Sequence, residues 1–339
     1  MRPAVWPTKS SVVEEVIRLN VRFVQETIVE NSSPASRNFQ IAKVVGILTV
    51  ATAHFFPGTM LWVPSSIALF VFGFSSGYFT HLKYRQRFDV ISYWKNKVLR
   101  LGYALLVIDV FLLVVCSFTS SRSIWVWQTI LHLVGLGGLL DWLGIANESP
   151  LGGGMWFLTL LLAFYALYPL LRLLNRYEPG SSLLLVFALA GMGYCHVRYP
   201  IGYDLWPTAF SFLFGVYVAE HPFRLPAWVY GLGGLVCVSL MVSFNFMFRI
   251  NSYNAVLIAA ASAICTLWLR EATLPTWLVR PVSHLSDMII EIYLIHTYLF
   301  FSFVGNKFAD YFLSMCLILS VAKLLQVTAA RVQRVCERN

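Results

Sequence analysis

The chain has 339 residues, 58% apolar and 12% charged, with 25 lysines and arginines against 16 aspartates and glutamates. A soluble domain carries about 25% charged residues, so a water-facing surface could not be covered, and disorder would need low hydrophobicity with high charge. Both classes are excluded, and the positive excess reads as membrane topology, with no nucleic-acid partner expected.

Residues 1–38 read as a cytoplasmic N-terminal segment. Ser11-Val-Val-Glu14 is a capping box, and Val13, Ile17, Val21, Val24 and Ile28 follow at near-helical spacing, which predicts an amphipathic surface helix over 11–30. Nothing in this segment reads as a signal peptide, so the first span is expected to act as the insertion signal. A span needs ~20 mostly apolar residues. Runs near 39–57, 62–80, 98–118, 155–173, 182–197, 205–220, 226–247, 253–270, 286–305 and 310–329 meet that need. The expected fold is therefore an all-α polytopic membrane protein with about ten transmembrane helices, a membrane domain over 39–330 and a cytoplasmic tail over 331–339. Between the third and fourth runs, 124–145 is also apolar, but Gly135, Gly137, Gly138, Gly144 and Asp141 interrupt it. With ten spans and both termini cytoplasmic, nineteen Lys and Arg fall inside and four outside. Making 124–145 an eleventh span spoils that bias, so it is placed on the outer side. The six cysteines are scattered singly and read as small apolar residues, with no metal site expected.

An ionisable side chain at mid-bilayer costs at least ~2.5–3.5 kcal/mol, so each is a functional candidate. Lys43 and His54 fall on the first expected span, Asp109 on the third, Asp287, Glu291 and His296 on the ninth, and Lys323 on the tenth. Lys323 and Glu220 lie near span ends, where snorkelling accounts for them. Imidazole alone takes and returns a proton near neutral pH without strong tuning, which makes His54 the candidate base. Lys43 precedes it by eleven residues, ~16 Å along a helix. A cation at the inner mouth and a base towards the outer side suit a long anionic donor. Lys83, Arg85, Arg87, Lys95, Lys97 and Arg100 add charge at that mouth, where they also serve as topology determinants.

These segments resemble the membrane-bound acyltransferase-3 family of ten-span proteins. Lys43 through His54 matches its first-helix spacing, and Phe70-Val-Phe-Gly-Phe-Ser-Ser76-Gly77-Tyr78 is similar to its phenylalanine-rich second helix. Lys97-Val-Leu-Arg100 resembles the basic start of the third helix, Trp156-Phe-Leu with Phe164-Tyr165 and Pro169 the Trp helix, and Ile292-Tyr-Leu-Ile-His296 the late histidine motif. The chain departs from the family pattern at Lys43, where arginine is usual, at Gln40 in place of aspartate, and at Leu160-Leu-Leu162, where many members carry glutamate. Lysine keeps the charge of arginine but loses its bidentate fork.

The resemblance implies transfer of an acyl group, most often acetyl, from a coenzyme A thioester on the cytoplasmic side to a hydroxyl of a glycan or glycolipid. His54 carries over as the catalytic histidine, and Lys43 with Arg100 as donor-binding groups. Arg85 and Lys97 are expected to help collect the donor. Asp109 and Glu291 are the candidates to orient His54, and Ser76, Trp156, Tyr165 and His296 to line the acceptor site. No serine or cysteine sits beside His54 at a nucleophile's spacing, so direct transfer is favoured over an acyl-enzyme. The family habit points to a bacterial inner membrane and to polysaccharide-assembly proteins as further partners. The rival readings are a secondary transporter or flippase, and an inactive scaffold of a polysaccharide export complex.

Overall fold

The computed structural model describes residues 33–152, 154–199, 204–248, 254–275, 277 and 279–337. The surface helix expected over 11–30 lies outside the described residues. The described residues form helices and no strands.

Helix α1 (Pro34–Phe55) starts where the Ser33 hydroxyl accepts from the Ser36 amide at 3.1 Å, with Pro34 in the first turn. It ends at Phe56-Pro57-Gly58, where Gly58 takes φ +79°, a value that suits glycine. Helix α2 (Trp62–Tyr84) is the centre of the bundle and packs on α1 and α8 (Leu205–Glu220). The α2–α8 joint is built from small residues. A Cβ on Gly77 would collide with the Phe212 carbonyl, and one on Gly215 with the Phe74 carbonyl. Such close backbone approach is how helices associate where lipid removes the hydrophobic drive between them.

Helix α3 (Val90–Thr119) is capped by Asp89, which accepts from the Ser92 amide at 2.7 Å. It packs on α13 (Lys307–Cys336). Each has 30 residues, hence ~45 Å of helix against a hydrocarbon core of ~30 Å. The 124–145 stretch forms two short helices, α4 (Trp127–Leu133) and α5 (Gly138–Trp142), of 7 and 5 residues, neither able to cross a bilayer. Thr159 fastens this stretch to α6 (Trp156–Leu174), accepting from the Gly138 amide and donating to the Gly135 carbonyl, both at 2.9 Å. Helices α7 (Gly180–Arg198) and α9 (Ala227–Val242) stand at the periphery, and α9 buries no side chain. Helix α10 (Asn254–Glu271) completes this side, and its Asn254 exchanges two amide hydrogen bonds with Asn245 just beyond α9.

Among the described residues, seven helices are long and apolar enough to cross a membrane: α2, α3, α6, α7, α9 with its π-turn, α10 and α13. Three of the ten expected spans differ. Helix α1 is diluted by Arg37, Asn38, Gln40, Lys43 and His54, and α8 has only 16 residues. The expected span 286–305 is not one helix. It comprises the last residue of α11 (Val279–Ser286), α12 (Ile289–Ile295), a 3-10 turn over His296–Tyr298 and an irregular stretch to Asn306. Side chains of α13 replace the helical bonds that stretch lacks. Asp310 accepts from the Phe303 and Val304 amides at 2.9 and 2.8 Å, and Ser314 accepts from the Phe301 amide at 3.2 Å. Irregular backbone in a membrane protein needs such partners.

Candidate active site

The two ends of the bundle differ in chemistry. At one end α1 delivers His54 and α12 runs into His296, where the broken span turns. His54 Nδ1 lies 2.7 Å from His296 Nε2, with the ring planes within 2° and the centroids 5.0 Å apart. This is an in-plane, edge-to-edge hydrogen bond and not face stacking. His296 is fully buried, and its Nδ1 lies 2.7 Å from the Tyr293 carbonyl and 3.1 Å from that of Ile292.

Those carbonyls fix the tautomers. A carbonyl only accepts, so His296 Nδ1 must carry a proton. In the neutral ring, Nε2 of His296 is then a lone pair, and His54 Nδ1 must donate to it. Nε2 of His54 is left as a lone pair with no hydrogen-bond partner among the described residues. The dyad is backed by aromatic rings, with Phe55 against Phe300 at 5.2 Å and Phe300 against His296 at 5.8 Å.

His54 is exposed to a cavity of about 380 Å³, within the usual range for small-molecule sites. Trp62, Ser65, Thr59, Trp156, Tyr293 and Asp204 share its wall. The Tyr293 hydroxyl donates to the Gly154 carbonyl and accepts from the Phe157 amide. The Tyr298 hydroxyl accepts from the Gly152 amide at 2.8 Å. The loop before α6 is therefore tied to the segment that carries His296. Burial raises the Asp204 carboxyl above the usual range, and the Ser66 hydroxyl holds part of that rise back.

At the other, basic end, Lys97 of α3 donates to Thr80 Oγ1 at 3.0 Å and stands 3.8 Å above the Tyr165 ring. Tyr93 donates to the Tyr165 carbonyl at 3.0 Å and helps hold that platform. The charge of Arg100 bears on both Lys43 and Lys97. Among the described residues, Lys43, Lys97 and Arg100 form no ion pair with a carboxylate. The nearby carboxylate of Glu220 is held by His81 at 2.6 Å. Arg172 caps α2, donating to the Tyr84 and Arg85 carbonyls at 3.1 and 2.9 Å, so the chain enters the basic loop from a fixed point. Arg85 reaches the Ala219 carbonyl at 3.4 Å.

The residues singled out in the sequence thus divide. His54, His296 and Trp156 come together at one end, and Lys43, Arg85, Lys97 and Arg100 gather at the other. The ring partner of His54 is His296, in place of Asp109 or Glu291. Both carboxylates are buried, and Asp109 Oδ1 and Glu291 Oε2 have no hydrogen-bond partner among the described residues. Tyr165 lies under Lys97 and not at the cavity. Ser76 is half-buried on α2 and does not line the cavity either, since Trp62, Ser65 and Leu69 supply that helix's share of the wall. Asp204, Trp62 and Thr80 were not singled out in the sequence. The available signal for Asp204 was an acidic residue immediately before an apolar run.

With this geometry in view, comparison with known proteins is specific. The acyltransferase-3 family model, described as an acyltransferase domain, matches residues 37–329. No curated protein and no solved structure matches the chain. Because the family match takes in both histidines, the basic end and every long helix but the tips of α1 and α13, this polytopic membrane protein belongs to the acyltransferase-3 family.

Proposed function

We propose that the chain is a membrane O-acyltransferase. It moves an acyl group, acetyl in the first instance, from cytoplasmic acyl-coenzyme A to a hydroxyl of a cell-surface polysaccharide, lipopolysaccharide or glycolipid. The observation that carries this reading is the relay from the Tyr293 carbonyl through His296 to His54, which leaves a basic nitrogen facing a cavity.

The residues give each step an agent. His54 Nε2 takes the proton of the attacking hydroxyl as its oxygen closes on the thioester carbonyl. The new C–O bond forms, the C–S bond breaks, and the thiolate receives that proton from His54. While His54 is protonated, the His296 lone pair and the two carbonyls behind it hold its orientation, the part a carboxylate plays in other triads. Lys43, Lys97 and Arg100 hold the anionic end of the donor, and their lack of carboxylate partners among the described residues supports that role. The separation of Lys43 from His54 along α1, ~16 Å by helical rise, requires a donor of comparable length.

The test is acyl transfer in inverted membrane vesicles supplied with labelled acetyl-coenzyme A, comparing wild type with His54→Ala. Label entering a glycan or lipid fraction with wild type and lost in the variant supports the reading. Equal labelling by His54→Ala removes the base from the mechanism. No labelling from acetyl-, succinyl- or longer acyl-coenzyme A, with the acceptor pool present, favours transport or scaffolding.

A further inference from the structure

The wall of the His54 cavity is unusual in what it offers. The Thr59 hydroxyl directs its proton to the Phe56 carbonyl at 2.9 Å, and the Ser65 hydroxyl to the Leu61 carbonyl at 2.8 Å. The proton of Tyr293 goes to the Gly154 carbonyl. His54 presents a lone pair, by the tautomers derived above. Asp204, at the start of α8, presents a carboxylate on the same wall. Apart from the two indoles, these side chains of the wall therefore present hydrogen-bond acceptors, which suit an occupant that brings donors.

One hydroxyl suffices for the chemistry at His54. It does not satisfy Asp204, which stands on a different helix. Ser66 accounts for one hydrogen bond to this carboxylate, but a carboxylate has several acceptor sites, and an occupant that desolvates the others without supplying a donor is selected against. Trp62 and Trp156 line the same cavity, and indole side chains suit the C–H side of a sugar ring. We propose that Asp204 accepts a hydrogen bond from a second hydroxyl of the acceptor, so that the enzyme distinguishes polyols from monohydric alcohols. The Ser66 hydroxyl, shared between Asp204 and the Trp62 carbonyl 2.9 Å away, positions the carboxylate. This inference rests on the acyltransferase reading and adds a specificity residue to it.

The experiment uses the full chain in nanodiscs with saturating acetyl-coenzyme A. Methyl α-D-glucopyranoside, its galacto and manno epimers, and n-butanol serve as acceptors, with ester products measured by mass spectrometry. Wild type is expected to prefer at least one pyranoside over butanol by about tenfold or more in kcat/KM. Asp204→Asn should raise the pyranoside KM about tenfold and bring the two acceptor classes together, while the KM for acetyl-coenzyme A stays within about twofold. Asp204→Glu should recover part of the loss. Ser66→Ala, which leaves the carboxylate in place, should raise the pyranoside KM by a smaller factor, and it carries the test if Asp204→Asn does not fold. An unchanged pyranoside KM in Asp204→Asn, or butanol used as well as pyranosides by wild type, overturns the inference. His54→Ala run in parallel separates the two readings. If it still transfers acyl groups, the proposed mechanism fails. If it is inactive and Asp204→Asn is normal, only the role of Asp204 fails.

Discussion

The two ends of the bundle present opposite halves of hydrogen-bond chemistry. At the basic end, Lys43, Lys97 and Arg100 hold donors that no carboxylate among the described residues pairs with, and Glu220 is already engaged by His81. At the His54 end, the protons of Thr59, Ser65 and Tyr293 are turned into the backbone, and lone pairs face the cavity. The same residue types could satisfy one another if the ends were mixed. Kept at opposite ends of the bundle, they match the proposed pair of ligands, one anionic and one rich in hydroxyls. Placement, more than composition, separates the two chemistries.

The largest effect expected from disturbing this contrast is at the base. His54→Ala should lower transfer by about 10²–10⁴-fold with the donor KM little changed, as measured by single-turnover kinetics. His296→Phe keeps the base but removes its partner, freeing His54 to adopt the wrong tautomer. It should lower kcat by about 10²-fold, within the range for general-base catalysis, and should leave the KM for acetyl-coenzyme A unchanged. A rise in donor KM in this variant would mean that the ends are coupled. Gly77→Ala strikes the α2–α8 joint, which carries Trp62 and Asp204 at one end and Thr80 and Glu220 at the other. Overpacking of this kind costs about 1–3 kcal/mol, so the melting temperature should fall, whereas Gly193→Ala on α7, with open space around it, should not lower it. Arg100→Ala should raise the donor KM by about tenfold, an effect that weakens as salt is added, with kcat nearly intact.

Much of this was legible in the sequence. Apolar runs located the long helices, because lipid enforces long helices with satisfied backbones, but missed the polar first turns of α3 and the polar last turns of α13 by eight and seven residues. The break after His296 was hidden for a physical reason. Hydropathy sees Tyr298-Leu-Phe-Phe as continuous, while the bonds that let the backbone leave the helix come from Asp310 and Ser314 on α13. The pairing of His54 with His296, 242 positions apart, likewise depends on how α1 packs beside α12. Tyr165 was expected at the acceptor site from its company in the Trp-helix motif. Its place nine residues beyond Trp156, ~13 Å along α6, puts it at the opposite end under Lys97. Asp204 looked like an ordinary polar residue ahead of a span, and only the fold shows that it lines the His54 cavity.

Helix α1 runs without interruption from Lys43 to His54, and this makes reach and phase separately adjustable. One alanine inserted between them would turn the imidazole by ~100° while lengthening the path by only ~1.5 Å. Four alanines would return it to within ~40° of its original bearing and add ~6 Å. On the proposed mechanism the first insertion abolishes turnover with every thioester. The second restores it selectively for a donor whose arm is extended by a comparable length, so α1 acts as a gauge that could be recut for a different acyl carrier.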